Sequence, residues 1–514
     1  MDYVTDMAAR RAELTPGATA FVDRESGLTL TFEDVERRAR RLANALTELG
    51  LSAGDRLAVL CLNRPDFFVV LFAAQKARLI LVPLNWRQPV AELSPLIPAC
   101  GAKILIHDKA FEAEARHLSA THRLRRIAMG PGQDADFSLD ELIAAAAESR
   151  ASVRVSASDP WYLLFTSGTT GLPKAVIQTA GMAWANAINY AQATDLTSAD
   201  TSLNFLPLFH TAGINLMTLP LFLLGGASTV LRKFDADAVV DLLGAGACTA
   251  FFGVPAIYQA LSLHPRFSEL DLAAVRSYAC GGAPIPEHLL RLYASRGATI
   301  CNGMGMTETG PTVFIMDRAG AARKIGSVGK AQILAEVRLE APDGSLVEGP
   351  GEGELQIRGP GVTPGYMDNP AATAAAFTAD GWLKSGDVAR RDADGYYYIV
   401  DRIKDMYISG GENVYPAEVE RVLVDHPDIL EAVVVGIPDE RWGEVGAAYL
   451  IARPGHTVDP AGLPAWCRER LAGYKVPRRF AVVADLPRTA AGKVRKNLLK
   501  DQPAAPAKPG TSDA

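Results

Sequence analysis

A large α/β domain of several subdomains followed by a small α+β domain is the fold class this sequence predicts, and three observations predict it. Helical and strand-like apolar patterns alternate over about the first 330 residues. Strands punctuated by glycine, proline and aspartate follow, and the chain changes character after Arg402. With 514 residues, 48% of them hydrophobic and 21% charged, there is material for one large core and a smaller second one.

The elements follow in order. Residues 31–49 are expected to form an amphipathic helix. Thr31 and Asp34 have capping-box spacing, Val35, Ala39, Leu42, Leu46 and Leu49 share one stripe, and Gly50 stops it. Residues 56–62 read as a buried strand, 66–76 as a helix and 79–83 as a second strand. Residues 337–358 and 395–401 read as antiparallel strands of a β-rich subdomain. Beyond Arg402 come a charged link, a Gly-Gly loop, a helix at 416–425 and strands at 432–437 and 447–451. The expected divisions are 1–402 for the large domain, 403–405 for the link, 406–500 for the small domain, and 501–514 for a tail too poor in apolar residues to fold. The uncharged stretch 205–231 has the length of a membrane span, but His210, Asn215, Pro207, Pro220 and several glycines interrupt it.

Composition narrows the function. A net charge of −6 and a pI near 5.8 give no global basic field, which argues against nucleic acid as the main partner. Six cysteines (Cys61, Cys100, Cys248, Cys280, Cys301, Cys467) lack CxxC spacing and read as reduced thiols, not a disulfide or zinc framework. The N-terminus has no apolar h-region, so a cytoplasmic location is expected.

The sharpest chemical signal is a strand at 162–165 running into Thr166, Ser167, Gly168, Thr169, Thr170, Gly171, Leu172, Pro173 and Lys174. Glycines let backbone N–H groups turn toward an anion, hydroxyls add donors, and the lysine supplies charge, so the loop suits phosphate. It is not the Walker pattern, because no serine or threonine follows the lysine. Taken alone, it also reads as a surface turn.

TSGTTGLPKAV resembles the signature loop of the adenylate-forming (AMP-binding) superfamily of acyl-CoA synthetases, firefly luciferases and peptide-synthetase adenylation domains. The likeness continues in the family's order through PLFHTAG at Pro207, GGAPIP at Gly281, NGMGMTETG at Asn302, GYMDNPAAT at Gly365, WLKSGDVA at Trp382, VDRIKDMYISGGENVYPAEVE at Val400 and LPRTAAGKVRK at Leu486. It implies that a carboxylate attacks the α-phosphate of ATP to give an acyl-adenylate, whose acyl group passes to coenzyme A. ATP and CoA are then co-substrates and Mg2+ the cofactor, because charge gathers on phosphate and pyrophosphate.

Carried over residue by residue, the resemblance gives Thr166, Ser167, Gly168, Thr169, Thr170 and Lys174 to the phosphates. Glu308 becomes the metal-binding carboxylate, and the Thr307 hydroxyl a donor to the α-phosphate. Asp387 would accept both ribose hydroxyls, with Arg402 a cation nearby; an interdomain salt bridge is the other reading of Arg402. Lys493 would bridge the substrate carboxylate and the α-phosphate, so the small domain is expected to be mobile and to close over the large one. Lys404 would be the hinge, and Gly410 and Gly411 would line the thiol channel. Gly281, Gly282, Ala283 and Pro284 would form the adenine platform, and Asn302, Gly303, Met304, Gly305 and Met306 would flank the nucleotide. Met304 stands where most relatives have tyrosine, Ala175 where glycine is common and Ala180 where histidine is common.

The acyl pocket is expected from His210, Phe251, Phe252, Gly281, Asn302, Gly303 and Met306, with His210 a gate or else a core histidine. Gly305 lacks the tryptophan wall of acetate-activating relatives. A medium or long fatty chain or an aryl acid is therefore expected. DRIKDMYISGGENVYPAEVE and GVPAIYQAL are most similar to fatty-acid and hydroxycinnamate CoA ligases, and both acids stay open. An acyl-AMP ligase loading a carrier protein and a luciferase-like oxygenase share the motifs. The intact Gly410-Gly411 loop, and a chain that stops soon after Lys493, favour free CoA. A non-catalytic nucleotide binder would be expected to lack Lys493 or Glu308. The resemblance also admits a homodimer, and Lys475, Arg478 and Arg479 read as a solvated face.

Overall fold

The capping box predicted at Thr31 starts the helix Phe32–Glu48 in the computed structural model: Asp34 N–H donates to Thr31 Oγ1 at 3.1 Å and Thr31 N–H to Asp34 Oδ2 at 3.1 Å. Its predicted stripe is the buried face, with Val35, Ala39, Leu42 and Leu46 fully covered. The structure describes residues 2–149, 154–166, 173–488 and 494–500. Ser167, Gly168, Thr169, Thr170, Lys493 and the expected tail 501–514 lie outside the described residues.

The helix packs on Pro65–Ala77, which is apolar and buried on nearly every side, as a helix at the centre of a large core must be. Proline at its first turn and Arg78 in the left-handed conformation set its ends. Around it lies a seven-stranded sheet in the order Lys174–Thr179, Pro160–Thr166, Ile80–Pro83, Arg56–Leu60, Ala102–Asp108, Arg125–Met129 and Phe137–Ser138. All neighbours are parallel except Lys174–Thr179, which runs antiparallel to Pro160–Thr166. A second sheet orders Thr201–Asn204, Ala227–Val230, Thr19–Asp23 and Thr29–Thr31. A third begins with the parallel strands Ala250–Gly253, Ser277–Cys280 and Ile300–Met304 and ends with the short antiparallel Phe314–Ile315 and Lys330–Ala331.

The β-rich subdomain is an antiparallel meander of Glu336–Glu340, Gly351–Arg358, Leu383–Arg391 and Tyr397–Arg402. Its third strand had not been expected, because the polar run KSGDVARR hides a strand with one wet face. After the turn at 403–405, a separate sheet of Tyr407–Ser409, Glu412–Val414, Ile429–Asp439, Gly443–Ala452 and Arg479–Val482 packs against the helix Pro416–Val424. The segment 205–231 folds as a turn, a π-helix at Ala212–Leu216, the helix Thr218–Leu224 and a strand. No helix of the described residues is long and apolar enough to cross a membrane. All six cysteines are buried and unbridged, and burial pushes the Cys248 thiol up to about 12 and those of Cys301 and Cys467 up to about 11.

One ion cluster anchors the N-terminal helix Met7–Leu14 to this core. Lys76 Nζ lies 2.6 Å from Asp6 Oδ2 and 2.5 Å from Glu36 Oε2, with all three side chains buried, and Asp6 also caps Met7–Leu14 through Ala9 N–H. Lys76→Met would leave the buried Asp6 carboxylate without its cation while Glu36 keeps Arg40 at 2.9 Å, so the urea midpoint is expected to fall by an amount equivalent to ~3–5 kcal/mol. An unchanged midpoint would mean that the cluster is not closed in solution.

Candidate active site

Strand Pro160–Thr166 carries its apolar residues into the core and returns as Lys174–Thr179, setting Thr166 opposite Lys174. The returning strand is the edge of the seven-stranded sheet, and residues 363–367 close that edge. Ile177 N–H donates to Gly365 O at 3.1 Å and Met367 N–H to Ala175 O at 2.9 Å.

The same segment reaches the second motif. Met306 leads into a 3-10 turn, Thr307–Thr309, and Gly310 leaves it in the left-handed conformation. Gln178 Nε2–H donates to Thr307 O at 2.8 Å, and Thr363 N–H donates to Glu308 O at 2.8 Å. Thr166, Lys174, Thr307 and Glu308, read from separate motifs, thereby share one region. Tyr366 links the two charges: its hydroxyl donates to Glu308 Oε1 at 3.1 Å, and Lys174 Nζ sits 4.8 Å from its ring centroid. Burial first, then the Glu308 charge, push the Tyr366 phenol above its ordinary range, so it remains a protonated donor. Among the described residues no three His, Cys, Asp or Glu side chains gather as a metal cage. One carboxylate near a lysine and a threonine hydroxyl nevertheless fits magnesium, which takes one or two carboxylates and completes its shell with phosphate oxygens and water.

The parallel strands Ala250–Gly253, Ser277–Cys280 and Ile300–Met304 deliver the next group at their C-terminal ends, where open α/β sheets bind ligands. Gly281, Gly282, Ala283 and Pro284 turn away there, Gly282 at φ +86°. A Cβ on Gly281 would stand 3.2 Å from Gly303 O and 3.6 Å from Phe252 Cζ, so these segments lie directly against one another. Asn302 Nδ2 donates to Ser327 O at 3.3 Å, and half-buried Met304 packs against the apolar cluster of the β-rich subdomain. A Cβ on Gly305 would fall 1.9 Å from Pro311 O. Glycine is thus required there by backbone approach, and its missing side chain does not by itself open an acyl cavity.

Phe251, expected to line the acyl pocket, does not. Successive strand residues face opposite sides, and its ring packs in the core with Phe205 and Tyr258 at 5.7 Å and Tyr278 at 6.0 Å. Phe252 is the member of the pair that faces Gly281. It lines a narrow cavity with Leu206, Ala212, Leu216 and Met217, partly walled by the π-helix. The turn before that helix holds half-buried His210, whose N–H donates to Pro207 O at 3.1 Å. Gly213 fits beneath it because a Cβ would meet Pro207 O at 2.4 Å. A broader hollow at Val90, Ser94, His117 and His122, where Ser94 Oγ and His122 Nε2 approach to 2.8 Å, contains none of the motif residues.

At the far end of the large domain, Asp387 and Arg402 are direct cross-strand neighbours, and Arg402 Nε lies 2.6 Å from Asp387 Oδ1. Lys404 is exposed in the turn just beyond. Asp401 Oδ2 accepts from Ala417 N–H at 2.8 Å, meeting the first turn of Pro416–Val424. Lys496 Nζ lies 2.8 Å from Glu420 Oε1; burial alone would lower the lysine, but Glu420 and then Asp401 raise it. Gly410 and Gly411 form a hairpin turn with φ +62° and +89°, and a Cβ on Gly410 would meet the Trp442 ring at 2.8 Å. Arg441 and Arg478 flank that indole at 5.1 and 5.7 Å, while Lys475 is paired with Glu418 at 2.7 Å. Sequence reasoning missed Tyr366, Gln178 and Trp442. Tyr366 stood inside a quoted motif, but nothing local pointed to partners so distant in the chain.

The model of the AMP-binding enzyme family matches residues 8–367, and that of the AMP-binding enzyme C-terminal domain matches residues 418–493. The chain is 42% identical to a feruloyl-CoA synthase of Amycolatopsis sp, covering 96% of this chain and 97% of the relative. It is 35% identical to the long-chain-fatty-acid CoA ligase FadD13 of Mycobacterium tuberculosis, covering 96% and 97%. The o-succinylbenzoate CoA synthetase of Bacillus subtilis, solved with its acyl-adenylate intermediate, superposes with a TM-score of 0.87 at 31% identity over 98% of this chain and 99% of that one. The same enzyme solved with ATP and magnesium ion gives 0.86 at 31% over 97% and 100%. With its large part, its small part and their order all matched, this chain belongs to the AMP-binding enzyme family.

Proposed function

We propose that the chain is an AMP-forming acid–CoA ligase that converts an aromatic, hydroxycinnamate-type acid, ATP and CoA into an acyl-CoA, AMP and pyrophosphate through an acyl-adenylate. The carrying observation is the 42% identity to a feruloyl-CoA synthase along nearly the entire length of both chains. The fatty-acid reading has weaker support, from the 35% identity to FadD13. The meeting of Lys174, over the Tyr366 ring, and Glu308, hydrogen-bonded to the Tyr366 hydroxyl, supplies a cation and a carboxylate where ATP phosphates and a divalent cation would sit.

In this reading Glu308 would hold Mg2+ with phosphate oxygens and water, and the bound ion would offset charge on the departing pyrophosphate. Thr166, Lys174 and Thr307, with the loop residues Ser167, Gly168, Thr169 and Thr170, hold the phosphates. Asp387, paired with Arg402, would accept the ribose hydroxyls through its carboxylate. Residues 281–284 and 302–306 flank the base. Lys493 contacts the substrate carboxylate and α-phosphate, and the small domain turns at Lys404 between half-reactions to bring Gly410 and Gly411 to the thiol. Trp442, with the Arg441 and Arg478 guanidiniums over its ring, would give the CoA nucleotide an aromatic face and two cations, so that part of the expected solvated face becomes a binding surface in this reading.

A carboxylic-acid panel scored by AMP release with and without CoA tests the assignment. Ferulate and related phenolic acids are expected to give the highest kcat/KM with CoA; a medium or long fatty acid in first place would replace the aromatic reading. Lys493→Ala is expected to abolish acyl-AMP formation while sparing thioester formation from supplied acyl-AMP; equal loss of both steps would remove its assigned role. Trp442→Ala is expected to raise the KM for CoA about tenfold, from one lost stacking contact, and to leave the KM for ATP unchanged. A change in the ATP value alone would contradict the CoA assignment.

A further inference from the structure

Tyr366 touches both charged groups at the phosphate end of the site, although none of the motif roles includes it. Its main chain is held on two sides. Tyr366 bridges to Val176 beside the Lys174 strand, and its N–H donates to Thr373 Oγ1 at 3.0 Å. Gly365, just before it, has φ +143°, and a Cβ there would stand 2.5 Å from Thr373 Cγ2, so the backbone packs closely on Thr373 and glycine is needed at this position. The ring is therefore presented at a set angle.

Its two faces of charge match their neighbours. The electron-rich ring face meets the Lys174 ammonium, and the electropositive O–H meets the Glu308 carboxylate. Lys174 meets the ring and Glu308 the hydroxyl, and among the described residues no ion pair joins the two. A direct pair would satisfy each charge with the other and leave less of both for a ligand. The phenol occupies Glu308 Oε1 as donor and leaves Oε2 to accept something else.

We propose that Tyr366 is a positioning residue for adenylation: its hydroxyl aims the Glu308 carboxylate at the divalent cation that accompanies ATP, while its ring keeps the Lys174 ammonium available to the phosphates. This rests on the reading of Glu308 as the metal-binding carboxylate. The two halves of the tyrosine act on different ligands, so they separate in variants. Tyr366→Phe keeps the ring and deletes the donor; Tyr366→Leu deletes both.

The test uses the full-length chain with Mn2+ as the probe, its binding followed by electron paramagnetic resonance beside a non-hydrolysable ATP analogue, and with the affinity of the analogue measured separately without metal. Tyr366→Phe is expected to raise the Mn2+ dissociation constant about tenfold, the usual effect of losing a hydrogen bond that orients a metal ligand, with metal-free analogue affinity at the parent value. Tyr366→Leu is expected to weaken the metal-free analogue as well, about threefold, as the cation loses its ring. Parent Mn2+ affinity in Tyr366→Phe would overturn the proposal, as would identical losses in both readouts for both variants, which would make the ring a packing element only. Glu308→Gln separates the two layers. If it weakens Mn2+ and Tyr366→Phe does not, the tyrosine proposal alone falls; if Glu308→Gln leaves Mn2+ affinity unchanged, the metal reading falls and takes the proposal with it.

Discussion

The region around Lys174 and Glu308 depends on one constraint: the edge strand Lys174–Thr179 and the turn Thr307–Thr309 are held together by side-chain and main-chain hydrogen bonds from Gln178 and from residues 363–367. A strand edge left open would expose unpaired N–H and C=O groups. Here its closure also docks the carboxylate-bearing turn against the lysine-bearing strand. The closing strap contributes Tyr366, so the element that satisfies the backbone also sets the two charges in register.

The glycines show how close approach shapes the remainder. Gly281, Gly303 and Gly305 stand where backbones come within contact of one another, and Gly213 lets the π-helix tuck under the His210 turn. A π-helix is rare and often marks functional sites, because its extra residue shifts which side chains face a ligand. Ala212 and Leu216 from this element, with Phe252 from the neighbouring strand, line a narrow cavity. At the other end, Asp401 contacts the first turn of the small domain's helix while Arg402, its neighbour, holds Asp387. Consecutive residues thus reach back to Asp387 and forward to the small domain's helix.

Local signals were legible and distant ones were not. Thr31 with Asp34 announced a helix start, and the apolar stripe behind it announced which face is buried, because both depend on residues within one or two turns. The motif order announced the family for the same reason, each motif being contiguous. The strand Leu383–Arg391 escaped because its outward face is charged, and Phe251 was misassigned because position in a motif does not reveal which way a strand residue points. Gly305 read as an absent wall, whereas its neighbour Pro311 leaves no space for any side chain. Tyr366 and Trp442 gain meaning only from partners brought in by the tertiary fold.

The central claim is that this protein bonds a carboxylate oxygen to the α-phosphorus of ATP, releasing pyrophosphate, before a thiol takes part. Acid-dependent exchange of labelled pyrophosphate into ATP, measured without CoA, tests it most directly. The account predicts exchange that needs both the acid and a divalent cation and that runs at full rate before any CoA is added. Label entering ATP only after CoA addition, or equally well without an acid, would contradict it.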